Sequence, residues 1–429
     1  MKTIFKDVTL LPEYGWGSQR VNVTVTDHTI SSITDAPVDC TGATVIEGRG
    51  DLLIPAFYNA HCHAAMTLFR GYGEDLPLQR WLEERIFPAE DRLTYQSVYT
   101  ATKLAIAEMI RGGVVSFSDM YMFEDAVAEA ALEMGVKANL SRSLVSFDPN
   151  IDVTNDKRFA EAQRLYKTYH NAGDGRVKIE FSLHAEYTNV PRYCAYVGEY
   201  TAAHGIGMHI HLSETEKEHN ECIARHGKTP ARFFYDLGVL DTRTLAAHCV
   251  WVSDEDIALL AEKGVTAVHN PVSNLKLGSG VMPLRKLLDA GVNVALGTDG
   301  VASNNRLDLM REMQTAAILH KGIGRDPAIT VASEMLPLAT RNGALAQGRA
   351  DCGRVEVGMR ADLILIDRNS FHNMPSYDDY AMLCYSADRH DVRVTMADGR
   401  ILYQNGEYTC IDEERLRHEA RETFAHYFD

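Results

Sequence analysis

Eight short apolar runs, at 52–63, 114–121, 137–144, 178–185, 207–214, 244–251, 266–273 and 293–300, recur along most of the chain. Between them lie segments of helical spacing, such as Val98, Ala101, Ala105 and Met109. Strands joined through helices run parallel, because parallel neighbours need a crossover connection. Eight such units are the number that closes a (β/α)8 barrel. Alternation alone would also allow an open doubly wound sheet. No GxGxxG or P-loop stands at a strand end to support that rival. The expected fold class is therefore α/β, with a TIM-type barrel over 55–349.

The flanks read differently. Val21, Val23 and Val25 alternate with polar residues, the period of a half-buried strand, and Asp27-His28 offers a turn. Beyond residue 350, the stretch 358–367 reads as a turn and a buried strand, and 392–403 as a hairpin around Asp398-Gly399. The terminal segments, 1–54 and 350–429, are expected to pack together as one small β-sandwich domain with a C-terminal tail. No internal sequence repeat is evident.

Composition narrows the class. With 429 residues and 45% hydrophobic content, a core of full size can form. A formal net charge of -16 argues against non-specific binding to nucleic acid or anionic membrane. Residues 2–7 lack the apolar run of a signal peptide, and no apolar window is long enough to span a bilayer. The eight cysteines are scattered with no CxxC pair, which suits a reducing cytoplasm. The expected partner is a small-molecule substrate; a homo-oligomer is compatible with the sequence.

The ionisable residues fall where a barrel places function, at the C-terminal ends of strands. Run one ends with His61 and His63, which point to the same side because they lie two apart on a strand. Run five ends with His211, and run eight with Asp299. Three imidazoles and a carboxylate match the preferences of zinc or another late first-row metal. His248 on run six and Glu214 beside run five remain as acid/base candidates. A lone HxH is more often accidental, so the conjunction carries the argument. His209 lies one layer deeper and reads as structural. His269 reads as structural or supporting, and Asp119 as a supporting carboxylate or a helix cap.

With these residues in place, the sequence resembles the amidohydrolase superfamily, and within it the adenosine-type deaminases acting on S-adenosylhomocysteine and methylthioadenosine. The matching stretches are PAFYNAHCHAAMTLFRGYGEDLPLQRWL (55–82), FPAE (87–90), HIHLSETEKE (209–218), AAHCVW (246–251), HNPVSNLKLGSG (269–280) and GTDGVASNN (297–305), with GMRADLILID (358–367) in the terminal β domain. The resemblance implies one divalent metal, zinc with iron or manganese as alternatives, held by His61, His63, His211 and Asp299. It implies that Glu214 contacts the base and shuttles a proton, that His248 orients the attacking water, and that Asp299 accepts the water proton. It points to Glu90, Arg142 and His184 as substrate contacts. A carboxylate at Glu90 could accept from ribose hydroxyls, and the Arg142 guanidinium could grip a carboxylate. An internal salt bridge, with Glu186 as a candidate partner, is the plainer role for Arg142.

Three departures from the family pattern stand out: Ala56 for Gly, Cys62 for Thr or Ser, and Glu186 for Pro. The last places a carboxylate near the expected substrate end. His184-Ala185-Glu186 also mimics the HxE of cytidine deaminases, but the PCxxC partner is absent and the match reads as accidental. The implied reaction converts an adenosine-type nucleoside to its inosine analogue and ammonia. The alternatives are the same machinery acting on another base or a triazine, and a non-catalytic scaffold, which would be expected to have lost ligands. Elemental analysis of the purified protein should find about one zinc, iron or manganese per chain, the stoichiometry of one four-ligand set. Metal-free yet active protein would overturn this reading.

Overall fold

The computed structural model describes residues 1–16, 19–425 and 427. The α/β class and the eight parallel units expected from the sequence are observed. The barrel strands are β1 (Phe57–Cys62), β2 (Val114–Tyr121), β3 (Lys137–Leu144), β4 (Val177–Leu183), β5 (Met208–Leu212), β6 (Thr244–His248), β7 (Thr266–His269) and β8 (Asn293–Leu296). Each is hydrogen-bonded to its neighbour in chain order. The ring then closes on itself: the backbone N–H groups of Thr298 and Asp299 donate to the His61 carbonyl at 3.1 and 3.0 Å.

Both faces of these strands are covered, which is why the sequence shows nearly unbroken apolar runs. In β5, Met208, Ile210 and Leu212 alternate with His209 and His211, and all five are buried. The parallel register sets Leu212 of β5 opposite His248 of β6, so the ends of adjacent strands reach the same level.

Run 52–63 is two strands rather than one. Leu52–Pro55 pairs antiparallel with Leu363–Ile366, and Phe57–Cys62 enters the barrel. The break falls at Ala56, whose N–H donates to the Asp362 carbonyl. Every residue from Leu52 to Cys62 is buried, so hydropathy carries no mark of the change of sheet.

The chain divides into two compact units. One comprises Asn59–Ile106, Phe117–Leu307 and Glu414–Asp429, and contains the C-terminal ends of the barrel strands. The other comprises Met1–Tyr58, Ala107–Ser116 and Asp308–Glu413. In the latter, strands from both termini join one nine-stranded mixed sheet. Val23, Val25, Leu53, Leu363, Val394 and Met396 share its core. The hairpin read at Asp398-Gly399 is present between Val392–Ala397 and Arg400–Gln404, with φ of 46° and 72° at the two turn residues, as a type I′ turn requires. Among the described residues, no helix is long and apolar enough to cross a membrane.

Barrel closure depends on a glycine. A Cβ at Gly297 would stand 2.4 Å from Asn270 Oδ1 and 2.9 Å from both the His61 carbonyl and Val268 Cγ1. Gly297→Ala should therefore force the closing strands apart and cost about 1–3 kcal/mol, the usual penalty of overpacking. Denaturant unfolding measures this; unchanged stability would show that the seam yields freely.

Candidate active site

Four imidazoles and one carboxylate meet above the closed end of the barrel seam. His61 ends its strand buried, with Nδ1 2.9 Å from Nε2 of His209. His63 Nδ1 lies 2.7 Å from the Met120 carbonyl, and His211 Nδ1 lies 2.7 Å from the His184 carbonyl. A carbonyl can only accept, so both rings donate from Nδ1 and turn Nε2 toward the cluster. His248 is turned in the same way by Asn274, whose Oδ1 lies 2.8 Å from its Nδ1.

The free edges converge. Asp299 Oδ1 is 3.5 Å from His61 Nε2 and 3.3 Å from His63 Nε2. Ligand-type atoms of His61, His63 and His211 lie within 4.8 Å of one another, and so do those of His61, His248 and Asp299. Atoms bound at 2.0–2.2 Å to a tetrahedral ion stand about 3.4 Å apart, close to the separations of Asp299 Oδ1 from His61 and His63. His61 Nε2 is buried with no hydrogen-bond partner. A buried polar atom without a partner is costly, and a cation would satisfy it. The donor set fits a divalent metal.

Charge points the same way. Burial pushes His61 down to about 4, against the pull of Asp299, so this ring is a neutral donor. Burial also opposes a charge on His63, but the Asp299 carboxylate outweighs it and lifts the imidazole to about 9. Burial works against ionised Asp299, yet His61 and His63 hold it well below the usual carboxylate range. The carboxylate is further fixed by Ser273 and Ser303, whose hydroxyls donate to Oδ2 at 2.5 and 3.0 Å.

Glu214 stands beside this cluster. Its Oε1 accepts from Ser279 Oγ at 3.2 Å, and its Oε2 is 3.8 Å from His248 Nε2. Burial raises its pKa, partly offset by His248. A buried acid whose proton is held more tightly than usual, beside a cluster of imidazoles, is equipped for proton transfer.

A cavity of about 500 Å³ opens over the cluster, within the size range of small-molecule sites. Glu90, Arg142, His184 and Glu214 all line it, together with apolar side chains such as Trp81 and Phe147. Glu90 ends the short helix Phe87–Glu90, and burial pushes it up to about 7. Burial lowers His184 to about 4, so its imidazole is neutral. Arg142 does not pair with Glu186. Its Nε donates to Glu161 Oε2 at 2.8 Å and its Nη1 to the Ser143 carbonyl at 2.7 Å. Glu161 follows on the helix Lys157–Tyr169, closer in space to β3 than sequence position suggests.

Glu186 is absent from the cavity wall. It is buried and binds Arg225 at 2.6 Å and His226 at 2.9 Å, both at the end of the helix Glu216–His226. This departure from the family pattern thus braces the wall from behind. Asp119 Oδ1 accepts from the Ala64 N–H at 3.1 Å, at the start of the short helix Ala64–Phe69, and steadies the chain just after His63. Ser273, Asn274, Ser279 and Ser303 escaped sequence reasoning as site residues. They lie inside the stretches HNPVSNLKLGSG and GTDGVASNN, so the polar residues of those stretches were the available signal. Tyr427 was also missed: its hydroxyl donates to the Ala89 carbonyl at 2.8 Å, next to Glu90.

Residues 52–402 match the model of the amidohydrolase family. The chain belongs to that family. It is 43% identical over 419 residues to a 5-methylthioadenosine/S-adenosylhomocysteine deaminase of Moorella thermoacetica, covering 97% of each chain. It is 45% identical over 378 residues to a 5'-deoxyadenosine deaminase of Methanosarcina mazei, covering 88% of this chain and 87% of the relative. Among solved structures it is similar to an adenosine deaminase from Xanthomonas campestris with bound zinc, at 32% identity and a TM-score of 0.92, covering 99% and 98% of the two chains.

Proximity to Glu214 distinguishes His248 from His211. His211→Asn should strip the metal, whereas His248→Asn should keep most of it and lose turnover, because His248 also faces Glu214. Elemental analysis beside a rate assay checks this; equal metal loss in the two variants would make His248 a ligand.

Proposed function

We propose that this chain is a metal-dependent hydrolytic deaminase of adenosine-type nucleosides, acting on 5′-substituted adenosines such as methylthioadenosine or S-adenosylhomocysteine. The observation that carries the reading is the convergence of imidazole lone pairs and the Asp299 carboxylate at 3.3 and 3.5 Å, with the buried acid Glu214 alongside. His61, His63, His211 and Asp299 would hold one divalent ion. Zinc suits three imidazoles and a carboxylate, and the Xanthomonas campestris relative has zinc bound. When bound, such an ion lowers the pKa of water and makes hydroxide available near neutrality.

The chain's own residues do the rest. Glu214, whose proton affinity burial raises, delivers a proton to N1 of the adenine ring as C6 becomes tetrahedral. His248, turned by Asn274, presents Nε2 to the attacking oxygen. Asp299, held by Ser273 and Ser303, accepts the proton lost by water. Glu214 or Asp299 then returns a proton to the departing ammonia. At the far end, Glu90 accepts from ribose hydroxyls and His184 offers a neutral imidazole. Glu161 and Ser143 take Nε and Nη1 of Arg142, which leaves its remaining nitrogen to meet an amino-acid tail. The eight cysteines are all unpaired, in keeping with a reducing cytoplasm.

Ammonia release across adenosine, 5′-deoxyadenosine, methylthioadenosine, S-adenosylhomocysteine, adenine, guanine and a chlorotriazine tests the assignment. The 5′-substituted adenosines should lead, and Glu214→Gln should lose about 10²–10⁴-fold in turnover while retaining metal. A lead for free bases or triazines would overturn the nucleoside assignment, and a Glu214→Gln variant of near-normal turnover would remove Glu214 from proton transfer.

A further inference from the structure

We propose that Glu218 is a positioning residue for Glu214, acting through the two backbone N–H groups that its carboxylate holds. The inference rests on the deaminase reading above. Glu218 sits in the first turn of the helix Glu216–His226, where Thr215 caps the start and accepts from the Glu218 N–H at 3.1 Å. Its side chain folds back over the turn after β5. Oε1 accepts from the Ser213 N–H at 3.0 Å, and Oε2 accepts from the Glu214 N–H at 2.7 Å.

That turn is an unusual one. Ser213 has φ of 47°, in the left-handed region that a serine enters only under constraint. Two consecutive N–H groups aimed at one carboxylate supply the constraint. The same turn is fastened from the other side, because the Ser213 carbonyl accepts from the N–H groups of Val250 and Trp251 at 3.1 and 2.9 Å. The Trp251 indole donates to the Ser279 carbonyl at 2.8 Å, and Ser279 Oγ donates to Glu214 Oε1. The Glu214 side chain is thus gripped at its tip by Ser279 and at its root by Glu218.

Glu218 touches no substrate: it is 5% exposed and absent from the cavity wall. Its chemistry is also specific. Both oxygens must accept, and a glutamine would turn an NH2 group toward a backbone N–H, leaving one buried donor unmatched. A displaced root moves the Glu214 carboxyl, and misplacement of a reacting group by about 1 Å can cost about 10²-fold.

The test uses the full-length protein and the best nucleoside of the substrate panel. Glu218→Gln should lower kcat by roughly 10–100-fold, leave KM nearly unchanged and retain its metal. In the double variant with Glu214→Gln, the second substitution should add little further loss, because both act through one group. Unchanged kcat, metal loss in parallel with activity, or losses that multiply in the double variant would each overturn the proposal. Should Glu218→Gln fail to fold, Glu218→Asp, one methylene too short to hold both N–H groups, carries the same readouts. An inactive wild-type protein would sink the deaminase reading instead, whereas an active wild type matched by Glu218→Gln would sink this inference alone.

Discussion

Four imidazoles can face one point only if each is held by its other nitrogen. His61 leans on His209, His63 on the Met120 carbonyl, His211 on the His184 carbonyl and His248 on Asn274. These outer bonds fix the ring rotation, and where the partner is a carbonyl they also put a proton on Nδ1, so the Nε2 atoms are aimed before any ion arrives. Preorganisation of this kind removes the need for side chains to reorient on binding. It also explains why two of the four anchors are backbone atoms. A carbonyl at a strand end is fixed by the barrel ladder and cannot relax away from its partner.

The same frame separates chemistry from support. Side chains at the ends of β1, β5, β6 and β8 face the cluster, while the residues behind them satisfy the strained backbone around it. Ser213, His248, Cys249 and Asp299 all have positive φ. Such conformations persist where surrounding bonds over-determine them, and here they mark the turns that bring functional groups over the barrel mouth. Glu186 belongs to this support as well. A buried carboxylate already held by Arg225 and His226 would be an expensive way to contact substrate, but it ties the turn carrying His184 to the end of the helix that follows Glu214.

Much of this was legible from the sequence, and the reasons are physical. The limits of β2 and β3 coincide with the apolar runs at 114–121 and 137–144, because a strand covered on both faces leaves a continuous hydrophobic trace. The same property hid the break at Ala56, where one buried strand passes into another. His61, His63, His211, His248, Glu214 and Asp299 could be grouped because the barrel sends strand ends to one place. Their anchors could not, since Met120 and His184 act through carbonyls that any residue possesses. Arg142 shows the remaining limit. Its partner depends on how the helix Lys157–Tyr169 lies against β3, which a linear sequence does not encode locally.

The seam between β1 and β8 has a consequence for the order in which the molecule is made. His61 and Asp299 stand at opposite ends of the barrel sequence, and the His61 carbonyl receives the Asp299 N–H. Contacts so distant along the chain form late, after the loop entropy between them has been overcome. A barrel that still lacks β8 can offer an ion His61, His63 and His211 at most, without the Asp299 carboxylate. The complete set exists solely in the closed ring, so the free energy of ion capture accrues to the finished fold and to no precursor of it. The ion would act as a latch, set last and released only when the ring opens.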